Sequence, residues 1–345
     1  LAFYKKPEVK NGNKEDLPPV SIVVCIQNEE HNLKNLLASL LNQDYPDFEI
    51  VIVDDRSTDD TYNFLKLKKA AHPQLKVIHV ENVPEGFNGK KYGLTLGIKS
   101  AKNDILLFTD ADCEPVSNKW IQEMAGAFTD SKKIVLGYSK YYTFKSYLNT
   151  FIRFETLYTG IIYLSSALAG RPYMGVGRNI AHRRSFFLAN KGFKGHMKVT
   201  GGDDDLYVNE NADNKNTGIA IGKDATVLSI PKSNWNAYFT QKKRHLSVGK
   251  YYDLRDKIKL NLLATSQLFF WLTFFILIIS WQEPYIVLAG FVLRICIVCV
   301  IFHHSIIKLD DNFNIWLVPV FDLLFVFYYF IIGYTAFFSK DIKWN

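Results

Sequence analysis

The chain has 345 residues, 48% of them hydrophobic and 15% aromatic, which is high for a soluble enzyme, and the excess is concentrated in the last quarter. Formal net charge is +7, and one basic patch lies just ahead of the apolar region; anionic lipid is therefore the favoured charged partner, and no basic-aromatic repeat supports nucleic acid. Cys25, Cys113, Cys296 and Cys299 form no secreted disulfide framework; the Cys296-Ile-Val-Cys299 pair lies in an apolar run without histidines and reads as small apolar side chains of a helix.

In chain order, Leu1-Ala2-Phe3-Tyr4-Lys5-Lys6 fits equally the cytosolic end of a removed membrane helix and an ordinary chain boundary, and residues 1–18 are set apart as a flank. From Pro19 to about Val135, buried strands at Val20–Ile26, Glu49–Val53, Lys76–Val80 and Asp104–Thr109 alternate with helical patterns at Glu29–Leu41, Asp60–Lys69 and Lys90–Lys102. That alternation predicts an α/β fold, a doubly wound, mostly parallel sheet that binds its ligand at the carboxyl ends of the strands. Polar clusters follow three of those strands: Gln27-Asn28-Glu29, Asp54-Asp55-Arg56-Ser57 and Asp110-Ala111-Asp112. Each alone is a plausible cap or solvated turn; all three at one sheet edge point to a site. No G-x-G-x-x-G or Walker loop is present in this half. Asp110 and Asp112, two apart at the carboxyl end of a strand, share one side by strand alternation; there they repel unless a cation sits between them, and Mg²⁺ or Mn²⁺ bridging substrate phosphates would supply it.

Phe151–Ala169 reads as a helix on or near a membrane surface, and residues 175–184 as a turn followed by a strand. Gly201-Gly202-Asp203-Asp204-Asp205-Leu206 is a second acid cluster at the start of a helix. It fits either an acidic N-terminus stabilised by the helix dipole or a carboxylate serving as general base. Gln241 and Arg244, three apart, share one face of a basic helix, where an arginine is placed to clamp a diphosphate. Three long apolar segments close the chain at Leu260–Trp281, Pro284–Phe302 and Ile315–Phe338, each near the length that crosses a bilayer, with Trp281, Tyr285, Trp316 and Trp344 near their ends. Lys242, Lys243, Arg244, Lys250, Arg255, Lys257 and Lys259 precede the first span and predict that side to be cytosolic. Arg294 and Asp322 fall inside the second and third spans, where an isolated charge is costly; the prediction is that they pair or face the bundle interior.

Over roughly residues 19–260 the order of these motifs resembles the membrane-bound members of glycosyltransferase family 2, whose catalytic domain has the GT-A fold. Residues 53–61, Val-Asp-Asp-Arg-Ser-Thr-Asp-Asp-Thr, are similar to the family's nucleotide-binding turn, which implies that Asp55 contacts the base. Gly89-Lys90-Lys91 with Leu94 resembles the K-x-x-x-L segment that carries Lys90 to the nucleotide, and Asp110-Ala111-Asp112 the D-x-D that binds ribose and metal-diphosphate. The acid triplet resembles the family's catalytic E-D element and implies Asp203 as base with Asp204 as the alternative; Asn28 and Glu29 join the donor site. Gln241–His245 is similar to Q-x-x-R-W, with His245 where the family has tryptophan, a departure that leaves the acceptor type open.

The resemblance implies a cytosolic GT-A domain over residues 19–258, a three-helix membrane domain over 259–345, and a multi-pass cell-membrane protein. The implied activity is inverting, metal-dependent transfer of a sugar from a nucleotide-diphosphate sugar, a uridine diphosphate sugar by expectation, to a lipid or glycan hydroxyl at the membrane. Few spans and the missing tryptophan favour a single transfer to a lipid-linked acceptor. The alternatives are a processive polysaccharide synthase and a catalytically silent nucleotide-sugar-binding membrane protein.

Overall fold

Runs rich in Val and Ile, apolar on both faces, form strands only where helices cover both sides of the sheet. The computed structural model describes residues 17–338, so the amino-terminal stub and Trp344 lie outside the described residues. It opens with β1 (Val20–Ile26), α1 (Glu30–Leu41), β2 (Phe48–Asp55), α2 (Thr61–Ala71), β3 (Leu75–Val80), α3 (Gly89–Ser100) and β4 (Ile105–Phe108). Strand β1 pairs in parallel with both β2 and β4, and β2 in parallel with β3. On one face Leu33, Leu36, Leu37 and Leu40 of α1 bury Val20, Ile22, Val24, Ile50 and Ile52; the spacing of those leucines is one helix stripe.

The other face is closed by α3, which presents Gly89, Gly93 and Gly97 four residues apart. A methyl group at Gly97 would lie 2.7 Å from Val23 and 3.0 Å from Val53, and one at Gly93 would lie 2.7 Å from the Cys25 sulfur. The helix therefore seats directly on β1 and β2, and its first turn, with Lys90, sits at their carboxyl ends.

The chain continues through β5 (Cys113–Pro115), α4 (Trp120–Gly126), β6 (Ile134–Gly137), β7 (Ser139–Tyr141) and α5 (Tyr147–Leu168). A 3₁₀ turn at Gly177–Asn179 leads into β8 (Ile180–Arg183), followed by α6 (Arg184–Ala189), α7 (Asp205–Asn211), β9 (Thr217–Ala220) and β10 (Val227–Ser229). Seven strands form the main sheet in the order β3-β2-β1-β4-β8-β6-β9, and β5-β10-β7 form a small second sheet. Only β8 runs against its neighbours in the main sheet, antiparallel to β4 and β6. The doubly wound, mostly parallel reading holds for the sheet with that one reversed strand.

The last helices are α8 (Trp235–Val248), α9 (Leu254–Ile279), α10 (Pro284–Lys308) and α11 (Val318–Phe338). Backbone contacts divide the chain into two compact units: both sheets, up to Tyr142 and again from Ile162 to Pro231, form one, and Thr143–Ile161 with the chain from Lys232 onward form the other. In the second unit Leu254–Ile279, Pro284–Lys308 and Ile315–Gly333 are long and apolar enough to cross a membrane.

Arg294 and Asp322 meet there in a two-pronged pair at 2.6 and 3.2 Å, and Gln267 and Trp271 donate to the same carboxylate at 2.8 and 3.1 Å. The predicted pairing of these charges is observed. In the first part of α5, Phe154 packs against Phe302, Phe313, Phe321 and Phe325, and Phe151 against Phe321, Phe325 and Tyr328. Lys242, one of the basic residues ahead of the first span, is paired with Glu155 at 2.5 Å.

Candidate active site

The loops after β1 and β2 are tied to each other. Asn28 adopts a left-handed backbone, φ 55°; its side-chain oxygen accepts the Thr58 amide at 2.8 Å, and its own amide donates to the Ser57 hydroxyl at 2.9 Å. The Glu29 amide donates to Thr61 Oγ1 at 3.0 Å, and its carboxylate accepts from Asn32 at 2.7 Å. Asn28 and Glu29 thus hold the rim. Asp55, the last residue of β2, is 2% exposed, and the Arg56 guanidinium grips its two oxygens at 2.7 and 3.1 Å. A side chain at Gly89 would collide with both groups, so that glycine is what lets α3 begin beside Asp55.

Lys90 is the hub. Its ammonium lies 3.0 Å from Asp110 Oδ1 and 3.2 Å from Asp203 Oδ2. Burial alone would lower its pKa, but Asp110, Asp203 and Asp204 overcome that and raise it well above the usual value. Asp110-Ala111-Asp112 lies past the end of β4, in the turn that carries the chain from the main sheet into the small one. The two acids are placed by that turn rather than by strand alternation. Asp112 anchors it, accepting the Ile230 amide on its carbonyl at 3.0 Å and the Cys113 thiol on its carboxylate at 3.3 Å.

Gly201 and Gly202, with φ of 81° and 74°, take the left-handed backbone that bends the chain into the acid cluster; residues with a Cβ pay for that conformation. Asp203 faces Lys90. Asp204 caps α7, with the Asp205 amide donating to one oxygen at 2.8 Å and the Gly177 amide to the other. Burial pushes Asp204 up to about 6, reinforced by Asp203. Asp203 goes the other way: burial would raise it, but Lys90 holds it below the usual carboxylate range.

Lys90, Asp110, Asp203 and Asp204 line one cavity together with Cys25, Thr109, His182, Phe193 and Tyr207. Thr109 Oγ1, His182 Nδ1 and the Tyr207 hydroxyl are buried there without hydrogen-bond partners, and burial pushes His182 down to about 3. None of the three stands out in sequence, because a His or Tyr in an apolar strand or helix reads as core. Arg178, half-buried between Gly177 and Asn179, is equally inconspicuous in sequence; a cation between a glycine and a strand start is the available signal. Gln241 and Arg244 lie on α8, in the second compact unit.

The donor set suits a hard divalent cation only in part. Among the described residues no three His, Cys, Asp or Glu side chains converge as a metal cage. Two carboxylates, Asp110 and Asp112, remain as all-oxygen ligands, which fits Mg²⁺ or Mn²⁺ held jointly with waters and substrate phosphates.

An open, mostly parallel sheet with its acids gathered at the carboxyl ends of β1, β2 and β4 is a GT-A-like architecture. A mannosyltransferase from Pyrobaculum calidifontis, solved with GDP-Man and Mn²⁺, superposes with a TM-score of 0.56 at 20% identity, covering 71% of this chain and 66% of its own. Residues 21–187 match the family model described as glycosyl transferase family 2. The probable glycosyltransferase YdaM of Bacillus subtilis is 24% identical over 80% of this chain and 67% of its own length. A Campylobacter jejuni GalNAc(5)-diNAcBac-PP-undecaprenol beta-1,3-glucosyltransferase is 31% identical over 29% of this chain and 32% of its own length. The Escherichia coli enzyme WfaP, a UDP-Glc:alpha-D-GlcNAc-diphosphoundecaprenol beta-1,3-glucosyltransferase, is 30% identical over 38% of this chain and 49% of its own length. The chain thus spans a third to a half of those two relatives. Over residues 21–187, just under half of its length, it resembles glycosyltransferase family 2.

Proposed function

We propose that this protein transfers a sugar from a nucleotide-diphosphate sugar, a uridine diphosphate sugar by preference, to a hydroxyl of a lipid-linked acceptor at the membrane, with inversion. The observation that carries the reading is Lys90 held 3.0 Å from Asp110 and 3.2 Å from Asp203: one cation joins the D-x-D turn to the acid cluster. Asp203 takes the proton of the acceptor hydroxyl as its oxygen attacks the anomeric carbon, and the bond to the diphosphate oxygen breaks on the opposite face. A donor diphosphate competes for Lys90; Asp203 then loses the partner that depresses its pKa and becomes the stronger base when substrate is present. Asp204, fixed by two backbone amides, positions the Gly177 turn.

Asp110 and Asp112 would hold Mg²⁺ or Mn²⁺, which supplies positive charge to the leaving diphosphate. Asp55 meets the base, Asn28 and Glu29 shape the donor rim, and Gln241 and Arg244 are assigned to the diphosphate on the family resemblance. Support for nucleotide-sugar and lipid-linked substrates comes from the relatives named for undecaprenol-diphosphate acceptors and from the GDP-Man-bound neighbour. The basic residues ahead of α9 orient the catalytic domain to the cytosol of a multi-pass cell-membrane protein.

The test is Asp203→Asn. It should bind donor with near wild-type affinity and lose about 10²-fold or more in transfer, measured as sugar incorporation with a panel of nucleotide sugars and Mn²⁺. Near-normal turnover refutes Asp203 as base. Wild-type protein that neither transfers nor hydrolyses any donor refutes the enzyme reading in favour of a silent nucleotide-sugar binder, and long polymer from donor alone favours a processive synthase.

A further inference from the structure

Arg178 has no role in the scheme above, yet its setting is costly and well built. It sits in the 3₁₀ turn Gly177–Asn179, and both flanking residues are locked. The Gly177 amide donates to Asp204. Asn179 is fully buried; its oxygen accepts from the Trp120 indole at 3.0 Å, and its amide donates to the carbonyls of Tyr138 and Ala225 at 2.7 and 2.8 Å. A methyl group at Gly137 would lie 2.5 Å from the Asn179 side chain. The turn therefore has little freedom, and Arg178 is held where the fold puts it.

Its guanidinium carbon stacks 4.5 Å over the Tyr141 ring, and Nη1 is buried without a hydrogen-bond partner. A guanidinium carries five donors in a planar fork matched to phosphate. Burying one with an unpaired nitrogen is costly, because the lost hydration is not replaced. Burial works against its charge, but Tyr141, Cys113, Asp112 and Asp110, in that order, act on it through space and keep it protonated. A fixed, partly unpaired cation is thus held next to Gly177, the glycine that donates to Asp204 and lines the cavity with Lys90, Asp110 and Asp203.

We propose that Arg178 is a substrate-binding residue whose free guanidinium nitrogen grips a phosphate oxygen, either of the donor diphosphate or of a phosphorylated lipid acceptor. This rests on the transferase reading; the chemistry, a phosphate monoanion or diphosphate, is common to both sources.

The experiment uses the full chain in detergent, with Arg178→Met and Arg178→Lys beside wild type, and measures binding of UDP, GDP, uridine and decaprenyl diphosphate by calorimetry in the presence of Mn²⁺. Arg178→Met should weaken diphosphate binding about 10- to 100-fold, the range lost with a charge-assisted bond, and leave uridine unchanged. Arg178→Lys should recover part of it. Loss on the nucleoside diphosphates assigns Arg178 to the donor; loss on the lipid diphosphate alone assigns it to the acceptor. Removing an unpaired buried charge should also leave the thermal midpoint of ligand-free Arg178→Met equal to or above wild type. Diphosphate binding within twofold of wild type for every probe overturns the proposal. So does a lowered midpoint with uridine and diphosphates weakened alike, the pattern of a structural cation–aromatic contact. Failure of the transferase reading is separate: wild type that binds these diphosphates but transfers nothing leaves Arg178 as a phosphate ligand.

Discussion

Lys91 shows how much a single buried side chain is asked to do near the site. It follows Lys90 on α3, is fully buried, and donates to the carbonyls of His196 and Val199 at 2.7 and 3.0 Å. Carbonyl dipoles replace hydration only in part, and burial pushes its pKa down to about 8, against the opposing pull of Asp203, Asp204 and Glu210. His196 packs on the same segment and pairs with Glu210 at 3.2 Å. The sign follows from the direction: the folded state binds this proton more weakly than the unfolded chain, so the penalty is fully present below pH 8 and disappears as pH rises toward the unfolded value near 10.5. Wild type should therefore gain stability relative to Lys91→Met between pH 8 and pH 10, by about 5 °C in thermal midpoint at a few degrees per kcal/mol. Other lysines titrate in both proteins and cancel in the difference. A difference in midpoint that is flat across that range would show that the Lys91 proton is not costly.

At the scale of elements, the clamp between the β1–α1 and β2–α2 loops sets the mouth of the proposed nucleotide site. Asn28 contributes two separable things: a left-handed backbone, φ 55°, and an acceptor for the Thr58 amide at 2.8 Å. Asn28→Gly loses the bond and keeps the backbone; Asn28→Ala loses the bond and adds strain of about 1–2 kcal/mol. Both should raise the donor KM several-fold by loosening the rim, while only alanine should lower the thermal midpoint by more than about 3 °C. Equal midpoints for the two variants would locate the effect in the side chain alone. Strands β1 to β4 and helices α1 to α3 were legible in the sequence because each is a run whose apolar period matches its burial. Strands β5, β7 and β10 were not, since three residues carry no period. The acids were visible as residue types; that Lys90 would join Asp110 to Asp203 was not, because pairing between distant segments depends on how closely three glycines let α3 approach the sheet. His182, Tyr207 and Arg178 were hidden for a related reason: their chemistry lies in partners they lack.

At the scale of the whole molecule, about a fifth of the chain is committed to helices apolar enough for a bilayer, and a charged pair is kept inside them. Arg294 and Asp322 bond at 2.6 and 3.2 Å, with Gln267 and Trp271 completing the shell around the carboxylate. The guanidinium also lies 4.4 Å over the Phe270 ring and 5.6 Å over that of Trp271. The pair thus ties α9, α10 and α11 through one carboxylate, a stronger constraint than the apolar surfaces alone, since those pack as well on lipid as on each other. Asp322→Leu leaves the arginine buried without its anion and should cost about 3–5 kcal/mol, whereas removing both charges costs far less. In detergent Asp322→Leu should lower the midpoint of the membrane helices markedly, and Arg294→Met combined with Asp322→Leu should recover most of the loss. Strict additivity of the two single substitutions would mean that the charges do not act as a pair.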